Sequence, residues 1–294
     1  MRRRERTTRR AAVLVATIAI GATASCRGSS VATTDTHGVS ATTTVDRAIR
    51  APAVDATAYA VFDAQASTML ATANADARLA VGSLMKLLNA AVAYDAGHRD
   101  HDVVAPDGLA GSAGESVIGI DADQVVSRAV LIRAMLKVSA NDAARLLAID
   151  IAGSEEAYAA MMNDAAASLG LANTRAVNAT GLDAEGQFST ARDLIELATV
   201  LSEDADFRQT VAETTARFDG RTIPNTNDLL VTYQGADGIK TGHTSNAGYC
   251  LLASATRHGW HIIVAVLGAP TDDGRDRAAT ALLDWAFAQV PTQG

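Results

Sequence analysis

A short apolar run, Ala58 to Phe62 after Thr57, predicts a strand, with residues 68–71 as its hairpin partner. From Gly82 the pattern changes. Leu84, Met85, Leu87, Leu88 and Val92 leave 83–96 apolar nearly all round, the pattern of a helix buried in the centre of a domain. Residues 125–137 and 142–151 predict further helices. Ser154 caps a helix that Gly170 ends, with Glu155 and Glu156 in its first turn. Thr190 and Asp193 suit a capping box for a helix to about Leu201. Strands then return. Asp219-Gly220 turns a hairpin between 214–218 and 221–223, and strands over 238–242, 249–254 and 261–267 follow, with His258-Gly259 as the last turn. A helical pattern over 278–287 closes the chain, and no internal repeat is visible. Strands from both ends enclose a helical middle. This predicts an α/β fold, a sheet domain flanked by helices with an inserted all-α domain, and a site in the cleft between them.

The ends differ from this body. Six arginines fall within residues 1–25, and an apolar run follows from Ala11 to Ile20, broken only by Thr17. That is an export signal, too short for an ordinary membrane span. Cleavage before Ser25 fits Ala22-Thr23-Ala24, while Thr23-Ala24-Ser25-Cys26 resembles a lipoprotein box with Cys26 as the lipidated residue. Residues 29–44 hold nine Ser or Thr and no apolar period, so 26–55 is expected to be a disordered tether and 56–294 the folded part. No second C-terminal domain or amphipathic tail is expected after 287, which adds to the case for a lipid anchor at Cys26.

Composition narrows the chemistry. The net charge is −8 and aromatics are 4% of the chain, which argues against a nucleic-acid-binding surface. Two cysteines exclude a disulfide framework and a cysteine-only zinc site. The three lysines are Lys86, Lys137 and Lys240, and none follows a glycine, so there is no Walker A loop. Two of them lie in short patterns that occur once each and in order: Ser83-Leu84-Met85-Lys86, Ser139-Ala140-Asn141 and Lys240-Thr241-Gly242. Together these arise by chance at odds of order one in a thousand. On a helix Ser83 and Lys86 share a face, and a lysine in the first turn of a buried helix is desolvated toward a neutral base for the hydroxyl. Ser139 and Asn141 sit on a short connection between two helices. Gly242 after Lys240-Thr241 points to close approach of another backbone, such as an extended peptide.

The three patterns form the set of serine penicillin-binding proteins and β-lactamases. Asp237-Gly238-Ile239-Lys240-Thr241-Gly242-His243-Thr244, Ala247-Gly248-Tyr249, Gly181-Leu182-Asp183, Ser189-Thr190-Ala191-Arg192-Asp193 and Asn225-x-Asn227 closely resemble the low-molecular-mass D-alanyl-D-alanine carboxypeptidases. The resemblance runs from about Tyr59 to Trp285 and departs at Gly82, where the family often has Ala. It implies a penicillin-binding-protein/β-lactamase-like fold and an acyl-enzyme mechanism. Ser83 would attack the penultimate D-Ala carbonyl with Lys86 as base, and Ser139 would pass a proton to the leaving nitrogen. Asn141 would hold the substrate amide and orient Lys86. Lys240, Thr241 and Gly242 would bind around the terminal carboxylate. The backbone N–H groups of Ser83 and His243 would form the oxyanion hole. The partners implied are peptidoglycan stem peptides and β-lactams at the cell-wall or periplasmic face of a membrane, with no cofactor, metal or nucleic acid.

Other readings are weighed on particular residues. A class A-like β-lactamase needs a deacylating glutamate, usually in E-x-x-L-N between the second and third motifs, and none of the glutamates there fits. A DD-endopeptidase would share every motif. A non-catalytic penicillin-binding sensor would not need all three. His98 and His101 have no third ligand at a recognised spacing and are expected to be exposed loop residues. Cys250 is expected to be a small buried hydrophobe.

Overall fold

In the computed structural model, residues 50–109 and 111–290 are described. The predicted export signal, Cys26 and most of the tether lie outside them. A five-stranded antiparallel sheet takes β1 (Ala58–Asp63) and β2 (Thr68–Ala73) from the start of the fold. It takes β7 (Ala236–Thr244), β8 (Gly248–Arg257) and β9 (Trp260–Ala269) from its end. The order is β2-β1-β9-β8-β7, so β1 pairs with β9 in register Ala60↔Ala265 and β7 is an edge strand. Two small antiparallel ribbons stand apart from it. One pairs β3 (Asp102–Val104) with β4 (Val125–Ser127), and the other pairs β5 (Thr215–Phe218) with β6 (Arg221–Pro224).

The period-two pattern of the strands explains the layers. On one face Leu251, Ala253, Ile262, Val264 and Val266 pack against α8 (Asp272–Phe287), where Leu282 and Leu283 are wholly buried. Burial of each such leucine stabilises the fold by about 1.5–3 kcal/mol. On the other face Cys250, Leu252, Ile263 and Ala265 join the core under α1 (Lys86–Asp95) and α5 (Ala191–Leu201). The helical middle is α1 with α2 (Arg128–Lys137), α3 (Asn141–Ala152), α4 (Glu155–Ser168) and α6 (Ala205–Ala212). The four-residue α7 (Leu229–Thr232) precedes β7.

Capping chemistry follows the sequence closely. Ser154 accepts from Ala157 N–H, and Gly170 takes a left-handed φ of 74° after α4. Thr190 accepts from Asp193 N–H, but the Asp193 carboxylate turns away to Asn173 N–H and the Thr174 hydroxyl, so only half of the capping box forms. Two expectations change. Residues 125–127 are a strand rather than the start of a helix, because Val125 and Val126 alternate exposed and buried against β3 and Ser127 caps α2. The serine of the first motif lies in a 3₁₀ turn, Gly82–Met85, that leads into α1.

Candidate active site

The 3₁₀ turn brings residues i and i+3 into line. Lys86 Nζ accordingly stands 2.9 Å from Ser83 Oγ. It also reaches Asn141 Oδ1 at 2.6 Å and the Thr180 carbonyl oxygen. The ammonium has three protons for three acceptors. As a neutral amine it has two protons for Asn141 and Thr180, and its lone pair then faces the Ser83 hydroxyl, the arrangement a general base requires. Lys86 is wholly buried while Ser83 is only partly covered. Burial first, then Lys240 and Arg145, pull the Lys86 amine well below the ordinary lysine range, against the opposing pull of Glu115 and Asp142.

Three glycines let the surrounding backbone close on this turn. Gly82 has a left-handed φ of 54°, which is where the chain departs from the family's alanine. A Cβ on Gly181 would lie 2.2 Å from the Gly82 carbonyl oxygen, and one on Gly242 would lie 2.5 Å from that of Val81. Another backbone does approach Gly242 closely, as the sequence suggested, and the neighbour seen is the chain's own turn ahead of Ser83. The 178–183 segment is held by Asn178 Oδ1, which accepts from Thr180 and Gly181 N–H, and by Asp183, which accepts from the Thr244 hydroxyl on β7.

Ser139 lies in the turn between α2 and α3 with a left-handed φ of 61°, buried. It is not among the three acceptors of Lys86. Asn141 opens α3, and Asp142 beside it anchors the 105–124 connection by accepting from the N–H groups of Ile118, Gly119 and Ile120. On β7, Lys240 is 1% exposed and donates to the Thr241 carbonyl at 2.9 Å. Burial, reinforced by Arg275, brings its amine down to about 7. Burial does not separate Lys240 from Lys86, since both are almost wholly buried. Thr241 Oγ1 is 2.6 Å from Thr226 Oγ1, and Asn227 Nδ2 donates to the Gly238 carbonyl at 2.8 Å, which gives the Asn225-x-Asn227 pattern its place behind β7. The His243 ring is exposed and stacks on Tyr249 with centroids 4.1 Å apart.

Several contributors had no signal in the sequence. Glu115 Oε2 accepts from Asn141 Nδ2 at 2.9 Å and from Arg145 at 2.7 Å. The Thr180 carbonyl and the Asp142 carboxylate are likewise visible only once distant segments meet. Away from the site, His98 and His101 are exposed loop residues as expected, and His101 stands 3.2 Å from Asp150, which Arg128 also holds. Cys250 is buried in the core, and burial pushes its thiol up to about 11. A hollow of about 570 Å³ lies behind the Ser139 turn between Arg133, Lys137, Glu213 and Arg217, and no motif residue lines it.

An antiparallel sheet with helices on both faces, carrying Ser-x-x-Lys, Ser-x-Asn and Lys-Thr-Gly around one buried amine, defines the penicillin-binding-protein and β-lactamase class of fold. Within that class the chain belongs to the S11 peptidase family, whose model, described as D-alanyl-D-alanine carboxypeptidase, matches residues 44–271. The D-alanyl-D-alanine carboxypeptidase DacC of Escherichia coli (strain K12) is 37% identical over 82% of this chain. The match takes in 64% of that relative, so this chain spans less than two thirds of its length. Penicillin-binding protein 6B from E. coli superposes with a TM-score of 0.77 at 31% identity, covering 82% of this chain and 80% of that one. Penicillin-binding protein D2 from Listeria monocytogenes, in its ampicillin-bound form, gives 0.72 at 32%, covering 80% of this chain and 98% of that one.

Proposed function

We propose that the chain is a serine-type D-alanyl-D-alanine carboxypeptidase that removes the terminal D-Ala from peptidoglycan stem peptides and is acylated by β-lactams. The observation that carries this reading is the placement of Lys86 Nζ, desolvated and 2.9 Å from Ser83 Oγ, with two other acceptors for its protons. In this reading Ser83 Oγ attacks the penultimate carbonyl as its proton passes to Lys86. The oxyanion forms between the Ser83 and His243 N–H groups; one such donor is typically worth ~3 kcal/mol of barrier. Consistent with this, the His243 backbone nitrogen lies 3.0 Å from where a Cβ on Gly82 would sit. The C–N bond then breaks, Ser139 passes a proton to the leaving D-Ala nitrogen, and water hydrolyses the ester. Lys240, cationic below about 7, and the Thr241 hydroxyl bind the terminal carboxylate. The open edge of β7 offers the stem peptide a strand to pair with.

The enzyme works outside the cytoplasm in this proposal, exported by residues 1–25 and held at the membrane by lipid on Cys26, with 26–55 as tether. Two or more acyl chains suffice for stable attachment. Cys26→Ser should move the protein from the membrane to the soluble exported fraction. A soluble wild type with Ser25 as its first residue would overturn the anchor.

Incubation with a pentapeptide stem and with a cross-linked dimer, products read by mass, tests the activity. Loss of one alanine mass from the pentapeptide supports the carboxypeptidase. Cleavage of the dimer alone would make it an endopeptidase, and stable acylation by penicillin without turnover of either peptide would make it a sensor.

A further inference from the structure

Glu115 belongs to none of the three motifs and lies in the 105–124 connection between β3 and β4. Its carboxylate is nevertheless built into the site. Oε2 takes hydrogen bonds from Asn141 Nδ2 at 2.9 Å and Arg145 Nη2 at 2.7 Å, and Oε1 takes one from Ser112 N–H at 2.9 Å. The side chain is 9% exposed. Asn141 and Arg145 are four residues apart on α3, so one helix face presents both donors to it. The backbone makes room for the carboxylate, because a Cβ on Gly111 would lie 2.6 Å from Glu115 Oε2.

An asparagine amide has two unlike ends. Here the oxygen faces Lys86 Nζ and the NH₂ faces a carboxylate. A flip would set NH₂ against the amine and oxygen against oxygen, losing both bonds. Glu115 thus makes one orientation of Asn141 the stable one. It uses one Nδ2 proton and leaves the other for a substrate carbonyl.

We infer that Glu115 is a positioning residue for the reaction: it locks the Asn141 amide, and through it Lys86, in the orientation that acylation of Ser83 needs. This deepens the carboxypeptidase reading and rests on it. Lys86 is faced by the Ser83 hydroxyl from its own turn, by Asn141, Asp142 and Arg145 from α3, and by the Thr180 carbonyl. Glu115 and, from β7, Lys240 complete its surroundings. Glu115 and Asp142 are the anions that favour the protonated amine. Loss of the Glu115 charge therefore lets Lys86 give up its proton at lower pH.

The test is the rate of Ser83 acylation by a labelled penicillin, with full-length wild type and variants, across pH. Glu115→Gln keeps oxygen and shape but not charge; its acid limb should move to lower pH with a modest change in maximal rate. Glu115→Ala loses the lock as well, and its maximal rate should fall roughly 10- to 100-fold, the range for a misplaced reacting group. Gly111→Ala, which displaces the carboxylate while keeping its charge, should slow acylation without lowering the acid limb. Thermal midpoints near wild type show that each variant is folded, and Glu115→Gln decides the matter if Glu115→Ala is not. An unshifted acid limb in Glu115→Gln refutes the inference, as does Glu115→Ala within twofold of wild type at every pH. A defect confined to deacylation also refutes it. Absence of label on wild type would instead remove the proposed function itself, so the two failures are distinguishable.

Discussion

Lys86 and Lys240 come to one centre from a helix and from a strand, and both are buried, yet their surroundings are opposite. Lys86 Nζ has three acceptors drawn from three separate segments. Lys240 Nζ has, among the described residues, the carbonyl of its own neighbour Thr241 and the cationic Arg275 nearby. The first amine is satisfied without a ligand in either charge state. The second is left with protons to give and no anion to receive them. Burial lowers both amines, so it cannot assign their roles; the partner set does. The proposed roles follow this difference: Lys86 would exchange a proton with Ser83, and Lys240 would capture a carboxylate.

The sharpest break of this comparison is chemical. Ser83→Ala should abolish covalent penicillin label entirely, and label that persists would place the nucleophile elsewhere. Next, Lys86→Arg should cut the acylation rate by about 10²–10⁴, because a guanidinium cannot act as base. Lys240→Arg should keep the charge and lose much less, mostly in KM. Equal losses from both would erase the distinction between the two amines.

The pH profile separates them again. Lys240 is cationic below about 7 and neutral above, so kcat/KM for peptides should fall as pH rises through about 7. Lys86 must be neutral, so the same quantity should fall on the acid side, through its lowered range. The result is a bell. In Lys240→Arg the alkaline limb should vanish while the acid limb stays. An alkaline limb that persists at the same pH would belong to another group.

Smaller effects test the packing that joins helix and strand. Gly242→Ala drives a methyl against the Val81 carbonyl and should destabilise the fold by about 1–3 kcal/mol, with slower acylation. Ser154→Ala removes a cap remote from both lysines and should cost about 1 kcal/mol in thermal unfolding with no change in label. Slower acylation in the second variant would show that general loosening, not the helix–strand contact, explains the first.

The meeting of Ser83 and Lys86 was legible because the two stand in one short pattern whose spacing a single turn satisfies. The strand segments of the large sheet and the buried first helix were legible for the same local reason. What closes around them was not. Glu115 is one glutamate in a connection without periodicity, and only the placement of α3 gives it a partner. Thr180 contributes a carbonyl, which no side-chain pattern announces. Gly242 announced that another backbone comes near, but not that it is the turn ahead of Ser83. Residues 125–127 looked helical because two valines and a serine run straight into a helix, and their pairing with β3 depends on a segment more than twenty residues earlier.

Strand β1 lies inside the sheet, yet its inner neighbour, the central strand β9, is among the last elements of the fold. The sheet therefore cannot assemble until nearly the whole fold has left the ribosome. Until the last strands emerge, β1 and β2 can form only a hairpin, and an isolated hairpin is marginal in water. Lys240 is made before β8 and β9, so every residue of the three motifs exists before the scaffold that gathers them. A chain halted at that point lacks the two strands that join β7 to β1 in one sheet.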